Sequence, residues 1–143
     1  MAKFKDTTNA IIDWFDGHGD VNEVTFGDGG EVDLSSQKTL PLVHVIPVDA
    51  TFEVPTTNYV YQVIIVGQTV EDETQAKLDI LDLCAGVAAE FTKSVEGGYL
   101  FDSDVRLDGA VSSTTIYKDR QNVLFGWALT VGLKTLNKLQ HCG

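Results

Sequence analysis

A chain of 143 residues suits one domain that can bury a core without disulfide or metal staples. Its 21 acidic residues against 10 basic ones leave a net charge of −11, and the densest basic stretch, Lys118-Asp119-Arg120, itself contains an acid. Without clustered cations a surface cannot displace counterions from phosphates, which argues against a nucleic-acid reader and against adhesion to an anionic membrane.

The start, Met1 to Asp6, carries basic residues but no apolar stretch, so a secretory signal is not expected. Thr7 or Thr8 is placed to cap a first helix, in which Ile11, Ile12, Trp14 and Phe15 follow at helical spacing until Gly17 and Gly19 stop it. Asn22 to Phe26 predicts a short strand. The stretch at about 27–40 is glycine-rich, acidic and aperiodic, and is expected to be a long loop or an irregular hairpin extending from the domain.

Leu42 to Ile46 predicts a strand that Pro47 ends, bulges or confines to an edge. Val48 to Val54 continues with rough alternation, and Pro55-Thr56-Thr57-Asn58 is turn chemistry. Tyr59 to Val66 is apolar on both faces, as in a central strand covered by helix on one side and by something else on the other. Thr69-Val70-Glu71-Asp72 is a variant capping box for a helix running to about Val95. Its stripe is Leu78, Leu81, Cys84, Ala85, Ala88 and Phe91, widened by Ile80, Leu83 and Val87. Tyr99 to Asp108 predicts a loop, Val111 to Tyr117 a strand, and Lys118 to Asn122 a turn.

The last strand alternates most clearly. Val123, Phe125, Trp127, Leu129, Val131 and Leu133 share one face; Leu124, Gly126, Ala128, Thr130, Gly132 and Lys134 share the other, where small side chains permit close packing. The expected architecture is α+β: a single domain over residues 1–143, with a mostly antiparallel sheet packed against one long helix and one short N-terminal helix.

No catalytic constellation emerges. His44 lies in an apolar strand with no other His or Cys at ligand spacing, and so reads as a hydrogen-bonded strand residue rather than a metal ligand or base. His141 and Cys142 are adjacent near the end of the chain and read as a frayed tail. Gly27-Asp28-Gly29-Gly30 matches neither a P-loop, a dinucleotide fingerprint nor an EF-hand. The acids around Asp28 and around Asp104 read as solvated charge on loops. Cys84 lacks an activating base and reads as a core thiol. The chain is therefore not expected to be an enzyme, and no catalytic, cofactor-binding or metal residue is assigned.

Several segments, in order, carry a resemblance. They are Asn22-Glu23-Val24-Thr25-Phe26-Gly27-Asp28; Glu31-Val32-Asp33-Leu34; Leu40-Pro41-Leu42-Val43-His44-Val45-Ile46 with Ala50-Thr51-Phe52; Glu73-Thr74-Gln75-Ala76-Lys77-Leu78-Asp79-Ile80-Leu81-Asp82; and Tyr117-Lys118-Asp119-Arg120-Gln121-Asn122-Val123-Leu124-Phe125-Gly126-Trp127. Together they make the chain resemble the tail terminator, or tail-completion, proteins of long-tailed bacteriophages. The tail Asn137-Lys138-Leu139-Gln140 departs from that pattern.

The resemblance implies a structural virion protein: a ring, usually a homohexamer, that caps the tail tube and joins it to the head connector. Its expected partners are copies of itself, the tail tube protein and a connector or neck protein, with DNA passing the lumen without specific binding and no membrane involved. The protein would be made in the host cytoplasm and reside at the head-proximal end of the tail. Two regions are candidate subunit or tube interfaces: the loop with Gly27, Asp28, Gly29, Gly30, Glu31 and Asp33, and the strand face with Gly126, Ala128 and Gly132. A different neck or head–tail joining ring is the alternative, and after it a small ligand-binding α+β module.

Overall fold

In a computed structural model, described over residues 4–27, 41–53, 55–69, 74–97, 105–119 and 123–136, two helices pack on one face of a six-stranded sheet. The order along the chain is α1 (Phe4–Asp16), β1 (Glu23–Phe26), β2 (Leu42–Phe52), β3 (Thr56–Thr69), α2 (Thr74–Glu96), β4 (Val105–Leu107), β5 (Ser112–Asp119) and β6 (Val123–Leu136). The sheet runs β1-β2-β3-β6-β4, with β5 also beside β6. β1 pairs with β2 in parallel and every other pair is antiparallel. The α+β architecture with one long and one short helix is thus the observed one.

The centre is β3 against β6, in register from Thr56–Leu136 to Thr69–Val123. Tyr61, Val63 and Ile65 stand beside Val131, Leu129 and Trp127, and this face meets the helices. Burying an aliphatic or aromatic side chain of this kind stabilises by about 1.5–3 kcal/mol, so the central pair carries much of the core. The Trp127 indole N–H donates to the Leu81 carbonyl at 3.0 Å, tying β6 to α2. At Gly67 an added Cβ would lie 2.8 Å from the Ile80 Cγ2, so the missing side chain lets α2 close on β3.

Several expectations need correction. α1 begins at Phe4, so Thr7 and Thr8 are not caps; both are buried within the helix, and the Thr8 hydroxyl hydrogen-bonds the Tyr61 hydroxyl at 2.7 Å. Demand from the sheet for a polar partner outweighs local capping preference here. Thr69, expected to open the α2 capping box, belongs to β3 opposite Val123, and Val70, Glu71 and Asp72 of that box lie outside the described residues. The stripe of α2 is narrower than predicted. Cys84, Val87, Phe91 and Val95 are buried, while Leu78 is 50% exposed.

Thr56 to Asn58, expected as a turn, belongs to β3; the hairpin closes earlier, where the Glu53 N–H donates to the Thr56 carbonyl. Residues 105–107, expected as loop, form β4, anchored by buried Val105 opposite Thr135. Pro47 does mark a bulge: the register shifts between Pro47 and Asp49, leaving Val48 unpaired and 58% exposed. A proline has no N–H for the ladder, so the irregularity falls where it costs least.

Helix–helix contact is aromatic. Phe15 stacks on Phe91 with centroids 4.7 Å apart, and Trp14 meets Phe91 edge-on at 5.4 Å. His18 closes the turn after α1 onto α2. Its Nδ1 accepts the Asp20 N–H, so Nε2 carries the proton and donates to Glu90 Oε2 at 2.7 Å.

Two buried groups make the fold sensitive to base. Burial pushes the Cys84 thiol from its ordinary 9.0 to about 11. Burial, opposed by the Thr8 hydrogen bond, pushes the Tyr61 hydroxyl from 10.0 to about 12. Both folded-state values are raised, so the unfolded chain releases these protons first. The stability they contribute is present below pH 9 and is lost as pH rises through 11–12. Urea midpoints should fall from about pH 9 upward, and Cys84→Ala should flatten the earlier part of that fall. An unchanged slope in that variant would show that the thiol is not responsible.

Candidate interface on the helix-free face of the sheet

Side chains alternate across a strand, so the β6 residues that turn away from the core share the opposite face with their cross-strand partners. Gly126, Ala128 and Gly132 lie there, opposite Val66, Ile64 and Val60 of β3. The two-faced reading of this strand therefore holds, but the small residues serve different ends.

Gly126 serves the sheet itself. An added Cβ would lie 1.8 Å from the Ile65 carbonyl oxygen and 2.8 Å from the Val66 Cα, both backbone atoms. A bulky residue there therefore disrupts the β3–β6 ladder instead of leaving a folded monomer with an altered surface. Gly132 accommodates the β4–β5 connection. Its carbonyl accepts the Asp108 N–H at 2.8 Å, an added Cβ would lie 3.3 Å from the Asp108 carbonyl oxygen, and the turn continues through Gly109 at φ +88°. That positive φ favours glycine, which lets the chain reverse from β4 into β5. Ala128 is buried between strands, with Ile64 of β3 on one side and Thr114 of β5 on the other.

Of the other candidate residues, Gly27 directly follows β1 and its N–H donates to the Val45 carbonyl. Asp28, Gly29, Gly30, Glu31 and Asp33 lie outside the described residues.

This face is divided along the strands. At the end near the start of β2, Leu42, His44, Ile46, Val66 and Ala128 are buried, although they stand apart from the helix-side core. His44 is 2% exposed and its Nδ1 lies 2.6 Å from the Thr25 hydroxyl, the strand role expected of it. At the other end the surface is open and polar. Thr130 and Ser112 are exposed, and two rows further, past Val60 and Gly132, Asn58, Lys134 and Arg106 stand side by side across β3, β6 and β4.

Lys134 and Arg106 are direct cross-strand partners, a like-charge pairing that destabilises a sheet. Among the described residues no carboxylate forms an ion pair with either. Asp49 and Asp108, in the row beside them, are exposed. Sequence reasoning missed the cation pair because Arg106 fell in an expected loop; the alternation of β6 was the only signal, and it placed Lys134 alone.

Among the described residues no group of three or more His, Cys, Asp or Glu could hold a metal ion. No helix among them is long and apolar enough to cross a membrane.

No family model matches the chain, and no curated protein matches it. A solved structure of a protein whose name describes no function is similar in fold. The TM-score is 0.53 at 16% identity, over 97% of this chain and 100% of that one. At that identity the likeness speaks to the fold alone.

Proposed function

We propose that the chain is a ring-forming virion subunit that terminates the tail tube of a long-tailed bacteriophage and joins it to the head connector. The observation that carries this reading is the ordered set of resembling segments. The described parts of those segments fall in β1, β2, the first half of α2, the end of β5 and the start of β6, that is, in one sheet and its long helix; Glu31 to Leu34 lies outside the described residues. Among the described residues no helix lies on the second face of the sheet, and its end at Thr130 and Arg106 is exposed, which supports the reading further, because a ring needs surface for contacts between copies. Net charge −11 suits a lumen that DNA traverses without sticking, since like charges repel.

The test is capping of tail tubes. Purified protein incubated with tubes lacking their terminator should place a ring at one end, visible by negative-stain electron microscopy. Deleting Gly29 to Gln37 should abolish that capping while leaving the circular dichroism of the domain in place. Intact capping by the deletion variant removes the loop from the interface. Wild-type protein that neither forms rings nor binds tubes sinks the proposal.

A further inference from the structure

β5 is bare on both faces and along one edge. Ser113 and Thr115 stand opposite Leu129 and Trp127 on the helix side, Ser112 and Thr114 opposite Thr130 and Ala128 on the other, and all four are exposed. Among the described residues β5 pairs with β6 alone, which leaves its outer edge open. Proteins commonly blunt such an edge with a proline, a bulge or a charge. β2 is blunted in this way where it runs past β1, by Pro47, by the bulge at Val48 and by the Asp49 carboxylate, which accepts the Ala50 N–H at 2.8 Å. β5 carries no such device from Ser112 to Tyr117. Gly109 to Tyr117 is uncharged, and the threonines and isoleucine in it favour a strand.

β1 is the opposite edge of the sheet and pairs with β2 alone among the described residues. The Gly27 N–H donates to the Val45 carbonyl, so Thr25 and Gly27 turn their backbone groups to β2, while Val24 and Phe26 turn theirs outward. Phe26 is 48% exposed and lies on the helix side, beside Val45. β1 runs with β2 and therefore against β3; β5 runs against β6 and therefore with β3. The two edges thus run in opposite directions.

We infer that β5 of one copy pairs antiparallel with β1 of a second copy, so that the sheet continues from subunit to subunit. Two observations select the second copy. Opposed edges let a neighbour in the same orientation bring β1 antiparallel to β5. A chain of net charge −11 repels itself over most of its surface, and the uncharged stretches Gly109 to Tyr117 and Val24 to Gly27 are where two backbones can close without setting acid against acid. With the helix sides kept together, Phe26 falls opposite Ser113 or Thr115. α2 turns Ile80 to Gly67 of β3 and Leu81 to Trp127 of β6. Leu78 lies on the Leu81 flank, further towards β5, and is 50% exposed. Phe26 of the neighbour then arrives on the Leu78 side of α2, and two exposed apolar side chains gain cover from one contact. Such a contact is heterologous: it joins head to tail and closes into a ring when the rotation permits. It rests on the ring reading above and names the strands that meet.

The experiment measures self-association by light scattering and sedimentation, independently of tail tubes. Wild-type protein should associate, and at least as strongly at about 0.5 M salt as at about 0.05 M, because salt screens the repulsion between acidic copies. Amides of residues 112–117 and 24–26 should exchange more slowly as the concentration rises. F26E and S113E/T115E should each weaken association by at least about tenfold, since each leaves a carboxylate in the contact without a partner. These positions are exposed, and unchanged thermal melting confirms that both variants are folded. Each variant keeps one intact edge, so an equal mixture of the two should form a heterodimer and nothing larger.

Wild-type association in either variant overturns the inference and leaves the ring reading standing. Loss in S113E/T115E alone, with F26E unaffected, assigns β5 to a different occupant. A mixture that yields no heterodimer overturns the head-to-tail pairing. Wild-type association that weakens about tenfold in salt is ionic and overturns it as well. A wild type that stays monomeric at every concentration and salt overturns it too, and tube capping then decides the ring reading separately.

Discussion

Replacing Gly126 with valine should cost the protein its cooperative native state. The glycine sits against the β3 backbone, and a Cβ there would collide with the Ile65 carbonyl. Nothing there can rotate away, because the neighbouring atoms are backbone. Relief requires β3 and β6 to part around Gly126–Val66, in the middle of the sheet. The cost should reach about 3 kcal/mol or more, the upper end of overpacking. That is a large part of the roughly 5–15 kcal/mol by which domains are stable.

In urea, a drop of at least about 1.5 M in the midpoint is expected for a slope near 2 kcal/mol/M. Gly126→Ala should show most of the effect, since the first carbon already collides. Gly67→Ala is the control. Its Cβ would meet the Ile80 Cγ2, a side-chain methyl rather than backbone; helical isoleucine is stiff at χ1, so relief comes from a small shift of α2, and a loss of about 1–2 kcal/mol is expected. Wild-type stability in Gly126→Ala would refute the close approach of the two strands.

Truncating Phe91 to alanine is the second large effect. The ring is fully buried, stacks on Phe15 and meets Trp14 edge-on, so it joins both helices to the core. Phe→Ala at such a site costs about 3–5 kcal/mol, from lost burial and the cavity left behind. The near-ultraviolet circular dichroism and fluorescence of Trp14 should change along with the urea midpoint, because its edge contact is lost. A change in stability under about 1 kcal/mol would mean that the site collapses to fill the cavity, or that α1 does not pack here.

Elements carried by strong periodicity were legible in the sequence. The alternation of β6 placed its two faces correctly, and α2 needed only adjustment of its ends and stripe. Pro47 announced its bulge because proline removes a ladder donor whatever the surroundings. Other features depend on contacts distant in sequence. The parallel pairing of β1 with β2 has no local signature, and β4 is too short to alternate visibly. Thr7 and Thr8 looked like caps because threonine caps are common; the Tyr61 hydroxyl across the core decides otherwise.

The candidate interface was legible in half. The face was read correctly, yet Gly126 belongs to the sheet's own spacing, Gly132 to the β4–β5 turn, and the cation pair was unseen. A glycine in a strand signals that something passes close, without saying whether it is another molecule or the neighbouring strand.

The placement of β6 also bears on how the protein is made. It follows every other described element in the chain, yet it fills the gap beside β3 and holds β4 and β5. Synthesis proceeds from the N-terminus, so β1, β2, β3 and α2 emerge while the long apolar edge of β3 has no partner. Pairing across so wide a sequence separation is slow, and an open strand edge of that kind invites association with other nascent chains. The helper that matters most in the cell would be whatever shields β3 until the ribosome has delivered residue 136. Fragments ending before β6 should accumulate as aggregates and not as smaller folded domains.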